Sequence, residues 1–373
     1  MSESIKIVFL APNIPQLYVA LEFIGTLQRK KAQYRFVIYT KTTYYDQINL
    51  PEVEVISSLI GADSKSMAPA FTHIVFVGHS YFINEEMLLW AQSYNCPTFW
   101  INAHLERDVE LKVVPNNAWF NFLYKTVQVI FYGDFADFGK LVNSGFESDR
   151  LHRVGNAKYD CALPSIEQIE NAEVVLDALA SKERQVIVGV SMLNGPETDC
   201  LLASYQTLRV EIPDLLLVLA PRLMEEVASI KMKLEAYQFT YGVSTKPSSW
   251  NSNVDVLIID QVGLLKGFYH SANVVFIGRT FFKNPGGGSN FIEPAAQGAP
   301  ILIGTYLSGF INVLHDFKKE DALVQISHPE ELISAFRMLL QNPIKAKAYG
   351  ERAAKVVQNN CGGLSLTADL LSE

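Results

Sequence analysis

Short, continuously apolar segments recur along this chain, separated by stretches whose apolar residues repeat at helical spacing, and few folds accept that pattern. In the first half the apolar segments fall at 5–10, 34–39, 53–56, 73–77, 98–102 and 127–132. Between several of them lie stretches such as 18–29 and 84–93, whose apolar residues keep to one helical face. Strands without polar alternation must be covered on both faces, and strands joined by helical crossovers run parallel, so the pattern predicts an α/β fold built on a parallel sheet. A short helix over 134–142 and a closing strand over 150–154 complete this half, ahead of Gly155-Asn156-Ala157-Lys158.

A more polar helix over 165–180 leads to a second start. Strands are expected at 186–190, 215–219, 238–241, 256–259, 274–277, 301–303 and 322–325, with helices at 197–211, 223–235, 264–270, 291–297, 310–316, 329–340 and 344–360. A chain of 373 residues exceeds the roughly 250–300 residues at which a single core stops growing. Two successive parallel α/β units therefore predict twin Rossmann-like domains facing an interdomain cleft. The expected boundaries are 1–163 for the first domain, 164–182 for a linker helix, 183–345 for the second domain and 346–373 for a C-terminal helical segment.

The formal net charge of -8 argues against a nucleic-acid partner. Basic runs at Arg29-Lys30-Lys31 and Lys345-Ala346-Lys347 read as solvated helix faces, the first of which could touch lipid headgroups. Cys96, Cys161, Cys200 and Cys361 form no C-x-x-C pair and read as reduced thiols of a cytoplasmic protein. No apolar run is long enough to span a membrane, and Ser2-Glu3-Ser4 leads straight into the first strand, without room for a signal peptide or anchor before it.

The chemistry concentrates in Gly286-Gly287-Gly288-Ser289-Asn290-Phe291-Ile292-Glu293-Pro294, a glycine loop entering a short helix. It follows the strand at 274–277, so it should lie at the carboxyl edge of the second sheet, where open α/β folds bind ligands. Glycines let backbone N–H groups approach an anion, and the helix N-terminus favours negative charge. Glu293 would repel a phosphate but suits a neutral diol such as a ribose. Ser191, Arg222 and Gly263 fall at other strand ends of the same half. Arg222 matches a phosphate or carboxylate by charge and fork geometry, or, as an ordinary structural arginine, could satisfy a helix end or an acid. No histidine or acid spacing suits a metal, no glycine fingerprint suits a dinucleotide after the first strand, and Gly189-Val190-Ser191-Met192 is not a hydrolase elbow, which leaves a transferase without metal or cofactor.

These residues resemble the 3-deoxy-D-manno-octulosonic acid (Kdo) transferases, which are GT-B glycosyltransferases. Gly287-Gly288-Ser289-Asn290-Phe291-Ile292-Glu293-Pro294 is similar to their Gly-Gly-His-Asn-x-x-Glu-Pro, with Ser289 in place of the histidine. Supporting matches are Gly155-Asn156-Ala157-Lys158-Tyr159-Asp160, Pro221-Arg222, Asp260 with Gly263, and the stretch from Gly304 to Phe310; Asn102-Ala103 is a weaker one. The resemblance implies a GT-B fold and transfer of Kdo, or a related acidic sugar, from a CMP-activated donor to a glycan or lipid-linked acceptor. It implies lipopolysaccharide biosynthesis in the cytoplasm, peripheral to the inner membrane. On the matching residues it implies that Arg222 meets the nucleotide phosphate, Glu293 the ribose, and Asn290 and the glycine loop the donor. Lys158 would contact donor or form a salt bridge near the domain junction.

The first half departs from the family. Where the family carries a catalytic glutamate after the first strand, this chain has Asn13-Ile14-Pro15-Gln16, and an amide cannot act as general base. The family's second acidic motif is replaced by Gly78-His79-Ser80-Tyr81, and the arginine of its Asn-Ala-Arg by His104. One reading keeps an inverting glycosyltransferase with a relocated base, His79 or His104, both expected just beyond strand ends. The other is a nucleotide-sugar-binding or partner protein impaired in transfer. Glu22 lies a turn or more inside a helix, a position suited to solvation or a salt bridge.

Overall fold

The computed structural model describes residues 5–30, 34–42, 53–59, 71–105, 118–133, 135–283, 287–307 and 310–372. Ser2-Glu3-Ser4, Lys31, Asp134, Gly286 and Ser308-Gly309, all named above, lie outside them. The chain divides into two units, 1–161 with 360–373, and 162–359.

In the first unit β1 (Ile5–Leu10), α1 (Ile14–Lys30), β2 (Tyr34–Tyr39), β3 (Val53–Ile56), β4 (His73–His79), α2 (Glu85–Gln92), β5 (Thr98–His104), α3 (Ala118–Thr126), β6 (Val129–Tyr132), α4 (Phe135–Asn143), β7 (Leu151–Arg153) and α5 (Ala157–Asp160) follow one another. Its seven strands form one parallel sheet in the order β3-β2-β1-β4-β5-β6-β7. Alternate side chains of β1 enter opposite cores. Ile7 and Phe9 pack with Leu17, Phe23 and Ile24 of α1, and Val8 and Leu10 pack with Phe76, Met87 and Trp100. That two-sided burial is why these strands read as unbroken apolar runs. Helix α3 was not apparent from the sequence pattern.

The second unit contains α6 (Ile166–Ala178), β8 (Gln185–Met192), α7 (Pro196–Glu211), β9 (Leu215–Pro221), α8 (Val227–Ala236), β10 (Tyr241–Val243), β11 (Val256–Ile258), β12 (Val274–Ile277), α9 (Ile292–Ala296), β13 (Ile301–Ile303), α10 (Ile311–Lys319), β14 (Val324–Gln325), α11 (Leu332–Gln341) and α12 (Pro343–Asn360). Its sheet is again parallel and seven-stranded, ordered β10-β11-β9-β8-β12-β13-β14. The order reverses between β1 and β4 in one unit and between β8 and β12 in the other, and such reversal points are where open sheets leave a crevice at the strands' carboxyl ends.

Several boundaries differ from expectation for identifiable reasons. The helix expected as a linker packs within the second unit, where Gln168 Nε2 donates to Gly263 O at 2.8 Å. The strand expected from 238 begins at Tyr241, because Gln238 has φ 58° and closes the preceding helix in the left-handed region. Residues 265–271 tighten into a 3₁₀ helix. The C-terminal helical segment is split: α12 belongs to the second unit, and α13 (Gly363–Ser372) returns to the first. There Leu364, Ala368 and Leu371 join the core facing α1, the Asp160 carboxylate accepts from Gly362 N (2.7 Å) and Leu364 N (3.3 Å), and Lys30 pairs with Asp369. Lys30 is therefore committed to α13, while Lys347 pairs along its own helix with Glu351 at 3.7 Å.

Candidate functional site

In the second unit the crevice between β8 and β12 is closed tightly at its base. Gly278 N donates to Val190 O at 2.8 Å, and a Cβ on Gly278 would sit 2.7 Å from that oxygen, so only glycine fits. The left-handed region is then entered at Ser191 (φ 55°), inside β8 where its pairing with β9 shifts register, and at Arg279 (φ 64°), just past β12. The reason on the β12 side is Glu197. From the first turn of α7 its buried carboxylate accepts the backbone N–H groups of Arg279, Thr280 (2.9 Å) and Phe281 (3.0 Å). The carbonyl of Arg279 in turn accepts from Gly288 N at 3.0 Å, which ties the glycine loop to this strand end. Gly287 and Gly288 have φ of 105° and 73°.

Arg222 follows β9, is exposed, and donates its backbone N–H to Met192 O at 2.8 Å. Its charge reaches Arg279, whose guanidinium is held below its ordinary value, first by burial and next by Arg222, with Glu197 opposing both. Two neighbouring guanidiniums at a sheet's carboxyl edge repel one another, and a bound anion relieves that repulsion.

Beyond the loop, Glu293 Oε1 accepts from Asn290 Nδ2 at 3.1 Å and lies 3.6 Å from Lys266 Nζ. About 24% of the Glu293 side chain is exposed. Burial pushes its carboxyl above the usual range, and Lys266 and Asn290 pull it back. Ser289 is buried, and its hydroxyl has no hydrogen-bond partner. Asp260 holds a turn: Ser244 Oγ (2.8 Å), Thr245 N (3.0 Å) and Thr245 Oγ1 (2.7 Å) all donate to its carboxylate. Gly263 gives its carbonyl to Gln168 and has φ 94°.

In the first unit the crevice between β1 and β4 carries Gln16 and His79. Gln16 is 3% exposed, with neither Oε1 nor Nε2 hydrogen-bonded, and Asn13 Nδ2 beside it is also buried and unpartnered. The amide lies over Gly78, where a Cβ would be 3.0 Å from Gln16 Cγ and 3.2 Å from Nε2; Gly78 has φ 82° and accepts from Trp100 Nε1 at 2.6 Å. An extra residue in β5, where Asn102 has φ 47°, shifts the register opposite Gly78 so that His79 and His104 are partners in the ladder. Both histidines are thus the last residues of their strands rather than just beyond them. Their rings meet edge to face with centroids 4.5 Å apart. Asp137, in the first turn of α4, puts Oδ1 2.6 Å from His104 Nδ1; the aspartate side chain is 6% exposed and the histidine 34%.

Two motifs distant in sequence meet nearby. Asn102, at φ 47°, accepts from Ala157 N at 3.1 Å, and Asn156 caps α5 by accepting from Lys158 N at 3.0 Å. Most of Gly155-Asn156-Ala157-Lys158-Tyr159-Asp160 therefore braces α5 and α13, with Lys158 partly buried on α5. Glu22 pairs with Arg29 at 3.6 Å. The structure brings Ser191, Arg222 and the glycine loop to one edge, and His79, His104 and Gln16 to another. Sequence reasoning missed Asp137, Glu197, Lys266 and Arg279. Only Arg279 left a readable signal, an arginine two residues past a strand that precedes a glycine loop.

No family model matches the chain. It is 25% identical over 280 residues to the 3-deoxy-D-manno-octulosonic acid transferase of Haemophilus influenzae, a span of 74% of this chain but 64% of that protein, just under two thirds of its length. To the protein of that name in Rickettsia felis it is 24% identical over 362 residues, covering 94% of this chain and 75% of the relative. Among solved structures, UDP-GlcNAc 2-epimerase from Neisseria meningitidis bound to UDP-GlcNAc superposes with TM-score 0.66 at 13% identity, covering 99% of this chain and 100% of that one. Anabaena Alr3699/HepE in complex with UDP and glucose gives TM-score 0.62 at 12% identity, covering 99% of each. Two parallel seven-stranded units with this connectivity define an α/β protein of the GT-B class. Within that class, the chain is similar in sequence to the 3-deoxy-D-manno-octulosonic acid transferases, at 25% and 24% identity to the two relatives above.

Proposed function

We propose that this chain transfers Kdo, or a related acidic sugar, from a CMP-activated donor to a glycan or lipid-linked acceptor, with inversion at the anomeric carbon. The observation that carries the reading is the second unit's edge, where Glu197 fixes the turn bearing Arg279 beside Arg222 and pins the glycine loop that leads to Glu293. Arg222 and Arg279 take the nucleotide phosphate, and Glu293 the ribose diol. The backbone at Ser191, Gly263, Gly287, Gly288 and Ser289, with the Asn290 amide, lines the donor. In the reaction the acceptor oxygen forms its bond to the anomeric carbon as the bond to phosphate breaks, and CMP leaves with the electron pair. The acceptor proton passes to a histidine at the ends of β4 and β5, His79 or His104.

The two guanidiniums neutralise the departing phosphate, so the reading calls for neither metal nor cofactor. Among the described residues no helix is long and apolar enough to cross a membrane. A lipid-linked acceptor sets the work at the cytoplasmic face of the inner membrane, through peripheral contact and with no nucleic acid involved.

Calorimetry with CMP, followed by mass spectrometry of a lipid A precursor incubated with CMP-Kdo, tests the reading. Binding of CMP and a mass gain of one sugar are expected. Absence of CMP binding would overturn the donor site, and CMP binding without transfer from any CMP-sugar would make the chain a nucleotide-sugar-binding protein.

A further inference from the structure

The Glu293 carboxylate is held on one oxygen only, and from this we infer that Lys266 is a positioning residue of the donor site, fixing Oε1 so that Oε2 meets the sugar diol of the nucleotide; the inference rests on the donor reading above. Oε1 accepts from Asn290 Nδ2 at 3.1 Å and faces Lys266 Nζ at 3.6 Å. An ionised carboxylate has about two acceptor positions on each oxygen, so these two contacts occupy Oε1. Oε2 has no partner among the described residues, yet it is not one of their enclosed unpartnered atoms, and 24% of the side chain is exposed. Its acceptor positions match the two hydroxyls of a vicinal diol.

Backbone contacts, independent of the ion pair, set the place of Lys266. It lies in the 3₁₀ helix over Leu265–Ser271, whose Gly267 sits so close to α6 that a Cβ there would be 2.1 Å from Gln168 O. Gln297, at the end of α9, donates Nε2 to Lys266 O at 2.8 Å. That bond already fastens the 3₁₀ helix to α9, so a fastening role would leave the ammonium redundant. Its charge has another effect. Burial disfavours the ionised form of Glu293, and Lys266 is the first group to offset this, Asn290 the next. The other titratable group beside Glu293 is Tyr269 of the same 3₁₀ helix, whose hydroxyl is pushed well above its ordinary value by burial and next by Glu293. The ionised carboxylate accepts on every position, so Lys266 lets a largely enclosed Glu293 hold a ribose near neutral pH.

The test is calorimetry on wild type, Lys266→Met and Lys266→Arg with CMP and with 2′,3′-dideoxy-CMP, which keeps base and phosphate but lacks the diol. Near neutral pH, Lys266→Met should bind CMP roughly 10-fold more weakly than wild type, and 2′,3′-dideoxy-CMP within about twofold of it. The pH at which CMP affinity declines should move upward in Lys266→Met, because the carboxyl loses the cation that opposes its protonation, and Lys266→Arg should restore the wild-type profile. A merely structural lysine would weaken both nucleotides alike, and that result overturns the inference. So does a Lys266→Met that keeps both its CMP affinity and its pH profile. In the intact wild type the ¹⁵N signal of Lys266 Nζ, assigned from Lys266→Arg, should shift as Glu293 titrates. A signal indifferent to that titration overturns the pairing even where Lys266→Met does not fold. A wild type that binds neither nucleotide sinks the donor reading, and the inference with it, whereas each result above leaves that reading standing, which separates the two failures.

Discussion

The carboxylate of Glu197 accepts the backbone N–H of Arg279, so an acid in the first turn of α7 fixes the strand end that carries the Arg279 guanidinium. The same carboxylate serves Thr280 and Phe281, leaving that turn few other acceptors. Glu197→Gln removes the charge from three buried hydrogen bonds. Losing one charge-assisted bond costs roughly 1.5–3 kcal/mol, so a destabilisation of about 3 kcal/mol is expected in urea unfolding. CMP affinity should fall with it. An unchanged midpoint would mean that the turn is held by something else.

Arg222 and Arg279 share one electrostatic neighbourhood. Replacing either by alanine should weaken CMP by roughly 10- to 100-fold, the worth of one charge-assisted bond, while cytidine, which lacks the phosphate, loses little. Calorimetry with both ligands decides the matter. Equal losses would take the arginine off the phosphate.

Burial pushes the Glu293 carboxyl above its usual range, and that sets a direction with pH. Ribose hydroxyls donate to the ionised form, so CMP affinity should be full above the raised value and decline as pH falls through it, earlier than an ordinary glutamate near pH 4.3 would allow. The unliganded fold responds oppositely. A pKa raised on folding contributes stability below the unfolded value, and that stability is lost as pH rises through the folded value. Glu293→Gln should flatten both dependences relative to wild type, a comparison that also cancels the titration of CMP itself.

Gln16 keeps a buried donor and acceptor unpaired. Gln16→Met removes both polar atoms at nearly constant volume and should leave stability unchanged or raise it by about 1 kcal/mol. Gln16→Glu instead puts a charge into the same enclosed place and should lower the thermal midpoint. A loss on Gln16→Met comparable with that of Gln16→Glu would show that the amide is paired in solution.

Asp160 caps the return of the chain into the first unit by accepting from Gly362 and Leu364. Burial raises its carboxyl above the ordinary value, and these N–H groups oppose the rise. Asp160→Ala should cost about 1–2 kcal/mol, the range of a lost helix cap. Limited proteolysis should then release α13 first. Resistance equal to wild type would mean that Leu364, Ala368 and Leu371 hold the helix without the cap.

The legible part of the site was the part written in contiguous residues. The glycine loop, Asn290 and Glu293 could be found because a strand, a loop and a helix start follow one another in sequence, and Arg222 because it directly follows β9. The histidines were visible as residues at strand ends, but their mutual contact depends on the extra residue in β5, at the left-handed Asn102, that puts His79 opposite His104. Asp137 and Glu197 read as ordinary acids in the first turns of helices. Nothing local to either says which backbone or ring it will meet.

The sequence alone determined two parallel α/β units, because uninterrupted apolar strands can be buried only between helical layers. It also determined that the side chain at position 16 cannot act as a general base, because Gln16 is an amide wherever it is placed. Tertiary structure alone decided that α13 returns to the first unit, that Glu197 holds the turn of Arg279, and that Asp137 lies on His104. Those relationships are set by strand order and crossover, which bring together residues whose separation along the chain carries no trace of their contact.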